Sequence, residues 1–198
     1  MEKPILFNTE MVKAILEGRK TQTRRLIKRL YIHEPYATEE DGTLWISDEN
    51  GEYHRAEEYA PYKPGDLLYV RETWKQATTG TAGPGLIDLY LYKADEPQDT
   101  TGMMVEGRWH PSIHMPKEAA RIWLKVKRVR AERLKDITEE DAEAEGCQAH
   151  GVAENALERF MMVWNSTMSL EDRRKYGFWK NPWVWVIEFE RTEGKHDD

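Results

Sequence analysis

The segment 121–129 constrains the fold most strongly, because its polarity alternates with a period of two. Ile122, Leu124 and Val126 are apolar, and cations occupy positions 121, 125 and 127. Successive side chains of a strand point to opposite faces, so this alternation predicts a half-buried strand with a basic outer face. The chain must therefore supply a sheet that packs one face against a core.

Other segments show weaker strand and helix patterns. The predicted strands are 43–47, 67–74, 87–92 and 183–190; the predicted helices lie between residues 8 and 18, between 138 and 146, at about 153–164 and at 169–175; and the predicted loops are 78–84 and 94–118. The strands are joined by hairpins and long connections and do not alternate with helices, which disfavours a doubly wound parallel sheet. The pattern predicts an α+β fold that is mainly β, a small mixed or antiparallel β-barrel with flanking helices.

Composition limits the number of domains and the compartment. With 198 residues, 39% hydrophobic and 33% charged, the chain can bury one good core. We expect a single domain over 1–191 with insertions at about 30–60 and 76–117, followed by a polar tail over 192–198. Cys147 is the only cysteine, so no internal disulfide can form. No signal-peptide form and no apolar run of about 20 residues are present, so we predict a cytoplasmic protein without a membrane partner.

Charge is distributed unevenly along the chain, although the net charge is only -7. Cations concentrate in 19–29 and 121–135, whereas acids collect in 34–58 and 136–145. An acidic protein with this polarity can present one basic face to a phosphate-bearing ligand such as RNA. The alternative is that these charged faces are only solvated.

The densest chemistry follows a predicted helix stop at Gly18. Asn8 is placed as the helix N-cap, and Gly18 supplies the left-handed residue that ends the helix. The run that follows, Arg19-Lys20-Thr21-Gln22-Thr23-Arg24-Arg25, combines cations with hydroxyl groups on a turn. Such a turn suits a site that approaches a ligand. The alternative is that Arg19 and Lys20 only complement the negative helix end.

Four motifs together resemble the ASCH domain family. They are Gly18-Arg19-Lys20-Thr21-Gln22-Thr23-Arg24, Lys63-Pro64-Gly65-Asp66 before a strand, Ile137-Thr138-Glu139 through Glu145, and the closing Val186-Ile187-Glu188-Phe189. They cover less than half of the chain and occur in the order typical of the family. The two insertions depart from the compact members, so the fold transfers better than the substrate.

The resemblance implies a PUA-like β-barrel and relates the chain to small bacterial amidohydrolases that remove the acetyl group of N4-acetylcytidine. In those enzymes a lysine and a threonine of the Gly-x-Lys-x-x-Thr turn act with a glutamate of a later helix. The corresponding residues here are Lys20, Thr23 and Glu145. The predicted residues that bind a nucleoside or RNA are Arg19, Thr21, Arg24, Arg25, Arg71, Lys125 and Lys127.

Amide cleavage needs a nucleophile, a base and an acid for the leaving amine. Thr23 can attack the carbonyl, with Lys20 as base if burial moves its pKa toward neutrality. Glu145 comes just before the predicted stop at Gly146, where the helix dipole disfavours a carboxylate and favours a group that holds a proton. The alternative for Glu145 is an exposed side chain with no function.

Two further function classes stay open at this stage. One is a non-catalytic RNA-binding module that uses the same basic face, and the other is an RNA-cleaving enzyme on the same scaffold. A metal site is not predicted, because Pro111 makes a helical pair of His110 and His114 improbable. No cofactor is predicted either, and the sequence leaves the oligomeric state open.

Overall fold

The computed structural model describes residues 1–27, 36–38, 43–47, 50–79, 87–96, 100–101, 103–105 and 107–193. They fall into two compact units. The first unit comprises Met1–Gly18, Leu67–Lys125 and the C-terminal end from Arg191, and the second comprises Arg19–Asp66 and Val126–Glu190. The predicted organisation as a single domain over 1–191 stays a prediction.

Strands outnumber helices in both units. The strands are β1 Glu2–Leu6, β2 Gln22–Leu26, β3 Tyr36–Thr38, β4 Thr43–Ser47, β5 Tyr53–Arg55, β6 Leu67–Arg71, β7 Trp74–Thr79, β8 Ile87–Tyr92, β9 Met103–Val105, β10 Trp123–Arg133 and β11 Trp183–Thr192. The helices are α1 Thr9–Leu16, α2 Glu139–Ala144, α3 Ala156–Ser166 and α4 Leu170–Tyr176. Short 3₁₀ turns occur at Ala56–Tyr59, Lys93–Asp95, Ser112–His114, Lys117–Ala119, Leu134–Asp136 and Phe178–Lys180. The described residues form a mixed α and β structure with mostly strands, which agrees with the predicted mainly β, α+β class. Their strands belong to several sheets and do not close into a barrel, so the predicted β-barrel is not found among them.

The first unit contains a mixed sheet and an antiparallel one. In the mixed sheet, β1 runs parallel to β6, and β6 pairs antiparallel with the first residues of β10. The second sheet has the order β8-β7-β9 and is antiparallel. The buried side chains Ile5, Leu68, Val70 and Leu124 belong to the core of the mixed sheet. β10 begins in this unit and continues into the second.

In the second unit, the rest of β10, β11 and β2 are neighbours in that order, and β2 pairs antiparallel with β11. Helices α2 and α3 cover apolar residues of β11, including Val184 and Val186, with Phe160 and Trp164 in the same core. The Glu139 carboxylate of α2 accepts hydrogen bonds from Ala156 N at 2.6 Å and Leu157 N at 3.1 Å, so it caps the start of α3. A separate antiparallel sheet has the order β3-β4-β5.

Helix ends follow the sequence signals closely. Asn8 Oδ1 accepts a hydrogen bond from Met11 N at 2.9 Å, and Thr138 forms a capping box with Asp141. Gly18 and Gly146 both have positive φ, +75° and +86°, as a left-handed helix stop requires. Among the helices of the described residues, none is both long enough and apolar enough to cross a membrane.

Several strand predictions need correction. The predicted strand 67–74 is two strands, because β6 ends at Arg71 and β7 begins at Trp74. Thr78 and Thr79, predicted as loop, end β7, and the predicted loop 94–118 contains β9. Strand β1 was not predicted, because Pro4 interrupts its pattern; proline is tolerated there because β1 is an edge strand. Residues 80–84 of the other predicted loop lie outside the described residues.

Candidate functional site

The chain after Gly18 is held between helix α2 and strand β11. Lys20 forms an isolated antiparallel bridge with Glu145, the residue that caps the end of α2. Thr21 N donates to Ala144 O at 2.8 Å, and Thr21 O accepts from Phe189 N at 2.8 Å. The predicted turn and the predicted helix end therefore meet in the fold.

The Lys20 side chain is fully buried and paired. Its Nζ donates to Gln22 O at 2.8 Å, to Glu145 O at 2.8 Å and to Glu145 Oε2 at 2.7 Å. The exposed fractions of the two side chains are 0% for Lys20 and 4% for Glu145. A protonated lysine has three N–H donors, and these three acceptors match them. The pair is thus both desolvated and hydrogen-bonded.

Burial dominates the electrostatics of Lys20. Removal from water lowers the pKa of the Lys20 ammonium below its usual value of 10.5, and the charge and hydrogen bond of Glu145 oppose this only in part. The positive charge of Arg25 lowers this pKa further. Lys20 is accordingly easier to deprotonate than a lysine in water.

Arg24 is also fully buried and contacts three carboxylates. Its Nε and Nη2 donate to Glu132 Oε1 at 3.0 and 2.6 Å, its Nη2 donates to Asp141 Oδ2 at 2.9 Å, and its Nη1 donates to Glu145 Oε1 at 3.3 Å. Burial alone would lower the pKa of Arg24, but Glu145, Glu132 and Asp141 raise it above its usual value. The guanidinium also lies over the Phe160 ring at 5.8 Å. Arg24 therefore joins β2 to β10 and α2.

Further polar contacts extend this network. Gln22 Nε2 donates to Asp141 O at 2.9 Å and to Asp141 Oδ1 at 2.8 Å. Arg130 pairs with Glu132 at 3.1 Å and with Glu188. Burial raises the pKa of Asp141, but the hydrogen bond of Gln22 and the charge of Arg24 outweigh it, so this pKa is lowered overall. Asp141 therefore stays ionised and binds the side chains of Gln22 and Arg24, which both belong to β2.

Thr23 lies between Gln22 and Arg24 on β2, is 2% exposed, and is in register with Ile187 of β11. Side chains alternate along a strand, so Thr23 leaves β2 on the face opposite to these two neighbours. The hydrogen bonds of Lys20 and Glu145 given above do not include Thr23. The structure thus brings two of the three predicted catalytic residues into contact.

Two predicted binding residues, Arg19 and Thr21, line an open cavity. Arg19 Nη1 donates to Gly146 O at 2.9 Å, and the Thr21 side chain is exposed. The cavity has a volume of about 860 Å³, and its lining includes four glutamates, Glu139, Glu140, Glu143 and Glu154. Its character is therefore more acidic than the predicted basic cleft. Lys20, Thr23 and Glu145 do not line it.

The other predicted binding residues have separate surroundings. Arg25 is half-buried, and burial lowers the pKa of its guanidinium, while Tyr62 and Glu145 oppose this. In the first unit, Arg71 donates to Met115 O at 2.8 Å and to Ile113 O at 2.5 Å. Lys125 and Lys127 are exposed, as the alternation predicted, and Lys127 pairs with Glu190 at 3.4 Å.

Sequence reasoning missed Gln22, Glu132 and Asp141 as members of the network around Arg24. In the sequence, Asp141 is one of three acids at a helix start, and Glu132 is the single acid in the basic segment 121–135. The position of Glu132 among cations was the signal that could have identified it, because a single carboxylate among cations often forms an ion pair.

Among the described residues, no three His, Cys, Asp or Glu side chains are grouped so that they could hold a metal ion. Cys147 is buried, and burial raises the pKa of its thiol to about 11. The cysteine is therefore an unreactive neighbour of Glu145 at neutral pH.

Searches for similar proteins add no family to this description. The chain matches no family model, no curated protein and no solved structure.

Proposed function

We propose that this chain is an ASCH-type domain with a PUA-like β-barrel that binds a nucleoside or an RNA base and hydrolyses an amide such as that of N4-acetylcytidine. The observation that carries the proposal is the buried ion pair between Lys20 and Glu145, which are 125 positions apart in the chain. Both residues belong to the catalytic set that the resemblance implies, so their contact supports the assignment.

The pKa of Lys20 supports a role as base. Because burial lowers this pKa, the amine can lose its proton closer to working pH. In the proposed reaction, the neutral amine takes the proton of the Thr23 hydroxyl while the Thr23 oxygen attacks the acetyl carbonyl. The Glu145 carboxylate then takes this proton from Lys20 and passes it to the leaving amino nitrogen as the carbon–nitrogen bond breaks. The neutral Lys20 next takes a proton from water, whose oxygen attacks the acetyl ester on Thr23. The Thr23 oxygen regains that proton from Lys20 as it leaves, and the acetic acid that is released loses its proton to solvent as acetate. The Thr23 oxygen must approach Lys20 Nζ to within about 3.2 Å when substrate is bound.

The direct test is to incubate the purified protein with N4-acetylcytidine and follow the release of cytidine and acetate. We expect turnover by the wild type and a loss of at least about a hundredfold in Thr23→Val, which removes the hydroxyl and keeps the side-chain shape. Lys20→Arg should also abolish turnover while substrate affinity stays within a few-fold, because a guanidinium stays protonated and cannot accept a proton.

Folding of each variant is checked by near-ultraviolet circular dichroism, which reports tertiary packing through the 8 Trp residues. Lys175→Arg serves as the control, because Lys175 is 59% exposed and its ion pair, with Glu171, lies on the surface. Wild-type turnover in Thr23→Val would disprove the proposed nucleophile, and wild-type turnover in Lys20→Arg would disprove the proposed base.

A second candidate, a non-catalytic RNA-binding module, is favoured by the saturated contacts of Lys20. Each of its three donors already has a protein acceptor, which suits a residue that joins β2 to α2. In that case the protein binds RNA in a salt-dependent manner, without amide turnover, and Thr23→Val leaves the affinity unchanged. The same incubations with RNA also reveal any shortening of the strand.

A further inference from the structure

A second candidate site lies in the second unit, where the end of β10 meets the start of β11. Arg133 Nη1 donates to Asn181 O at 3.1 Å, Leu134 N donates to Pro182 O at 3.0 Å, and Lys135 N donates to Asn181 Oδ1 at 2.8 Å. Asn181 has φ +52° and is the only residue other than glycine with positive φ in the described part of the chain. Asparagine tolerates this conformation well, and its backbone and side chain hold the two segments side by side.

This arrangement places two cations on two tryptophan rings. Arg133 Cζ lies 4.5 Å from the centroid of the Trp183 ring, and Lys135 Nζ lies 4.8 Å from the centroid of the Trp179 ring. Trp179 is 69% exposed, whereas Trp183 is half-buried. Trp179 packs edge-on against the buried Phe178, with ring centroids 5.6 Å apart. The indole is thus supported on one side while most of its surface faces solvent.

The cations beside Trp179 are not neutralised by carboxylates. Arg133, Lys135 and Lys180 are exposed, and no ion pair involves them among the residues that the structure describes. Two exposed lysines elsewhere in this unit are paired: Lys127 pairs with Glu190, and Lys175 pairs with Glu171 at 2.8 Å. Three cations, against the one neighbouring acid Asp136, therefore leave an excess of positive charge on this part of the surface, in a protein whose net charge is -7.

We propose that this Trp179 surface, formed by Arg133, Lys135, Trp179, Lys180 and Trp183, binds single-stranded nucleic acid, with one base stacked on Trp179 and phosphates near the three cations. Unpaired bases stack on exposed aromatic rings, and phosphates are attracted by unpaired lysine and arginine side chains. A duplex offers no unstacked base to Trp179. The inference stands apart from amide hydrolysis at Lys20, since it uses different residues and a different part of the ligand.

The test is fluorescence anisotropy with labelled oligouridine of about ten nucleotides, a length within the usual site sizes for single strands. We expect the wild type to bind this probe more tightly than a duplex of the same length. Trp179→Ala should weaken binding about tenfold, the usual cost of removing one stacked base. Lys135→Ala should reduce the slope of log affinity against log salt by about 0.7. An oligothymidine arm distinguishes RNA from DNA as the strand.

Two controls separate this surface from general charge and from the Lys20 site. Lys175→Ala removes an exposed but paired cation, and Leu170→Ala removes an exposed apolar side chain, 67% accessible, of the same unit. Neither should change affinity. Trp179→Ala should leave cytidine release from free N4-acetylcytidine unchanged, so that failure here and failure of the proposed chemistry are distinguishable. Unchanged oligouridine affinity in Trp179→Ala would overturn the proposal, as would an effect of Trp179→Ala on self-association alone in sedimentation experiments.

Discussion

Each of the two units contains a buried carboxylate that pairs with a cation. The two pairs differ in whether the cation is also removed from water. In the second unit, Lys20 is 0% exposed and Glu145 is 4% exposed. In the first unit, Glu72 is 1% exposed, while its partner Arg121 is 26% exposed. Arg121 reaches water and is shared with Asp95 at 2.5 Å, so the cation of this pair stays well stabilised.

As a consequence, the pKa values of Lys20 and Glu72 shift in opposite directions. Burial lowers the pKa of Lys20, whereas burial raises the pKa of Glu72 above its usual value, although the hydrogen bond and charge of Arg121 oppose this. The pKa of Arg121 itself is raised, because Glu72 and Asp95 outweigh its partial burial. A buried ion pair thus favours proton loss at the amine in one unit and proton uptake at the carboxyl in the other.

The largest expected effect comes from breaking the pair whose members are both buried. Lys20→Met keeps the length of the side chain but leaves the Glu145 carboxylate without its closest cation. Removal of one partner of a buried pair costs about 3–5 kcal/mol, so we expect a loss of this order in the free energy of unfolding. Urea denaturation followed by tryptophan fluorescence measures it. Lys175→Met is the control, and an equal loss in both variants would refute the comparison.

A smaller effect is expected when the partly exposed pair is broken. Glu72→Gln removes the charge but keeps a group that can accept one hydrogen bond from Arg121, which retains Asp95. Loss of a hydrogen bond to a charged group costs about 1–3 kcal/mol, so this variant should lose less stability than Lys20→Met. The same urea experiment applies, with the exposed Glu171→Gln as control. A larger loss of stability in Glu72→Gln than in Lys20→Met would contradict the order expected from the exposed fractions of the two pairs.

The smallest effects are changes in the slope of stability against pH, and they have opposite signs. Below 10.5 and above the lowered pKa of Lys20, the unfolded chain binds more protons at this residue than the folded chain, so stability rises with pH. Above 4.5 and below the raised pKa of Glu72, the folded chain binds more protons, so stability falls as pH rises. Lys20→Met should remove the rise in stability at alkaline pH, and Glu72→Gln should remove the fall in stability at acidic pH. Unfolding experiments across a pH series measure both. A slope that is unchanged in either variant would contradict the corresponding shift.

Local signals in the sequence predicted the helix ends well. The cap at Asn8 and the stops at Gly18 and Gly146 depend on backbone groups a few residues away, so neighbouring residues suffice to identify them. The division of 67–74 into β6 and β7 was missed, because the run Leu67 to Trp74 is strand-like throughout. The break follows from tertiary contacts instead, since Glu72 pairs with Arg121, 49 residues later.

The site was only partly predictable for the same reason. The contact of Lys20 with Glu145 was anticipated through the resemblance, because periodicity cannot relate residues 125 positions apart. Arg24 was expected to contact a ligand, but it is buried against Glu132, Asp141 and Glu145. The sequence of a cationic segment does not indicate which of its side chains are exposed to water. Arg24 is buried, whereas Lys127 is exposed.

Titration of the Lys20 side chain by NMR tests most directly whether burial outweighs the charge of Glu145 at Lys20. Following the carbon next to each lysine Nζ across alkaline pH, with Lys20→Arg to assign the signal, gives the pKa of Lys20 beside that of exposed lysines such as Lys175. We expect Lys20 to titrate below its usual value of 10.5. A pKa of Lys20 at or above 10.5 would show that the ion pair holds the proton, and Lys20 could not then serve as the base.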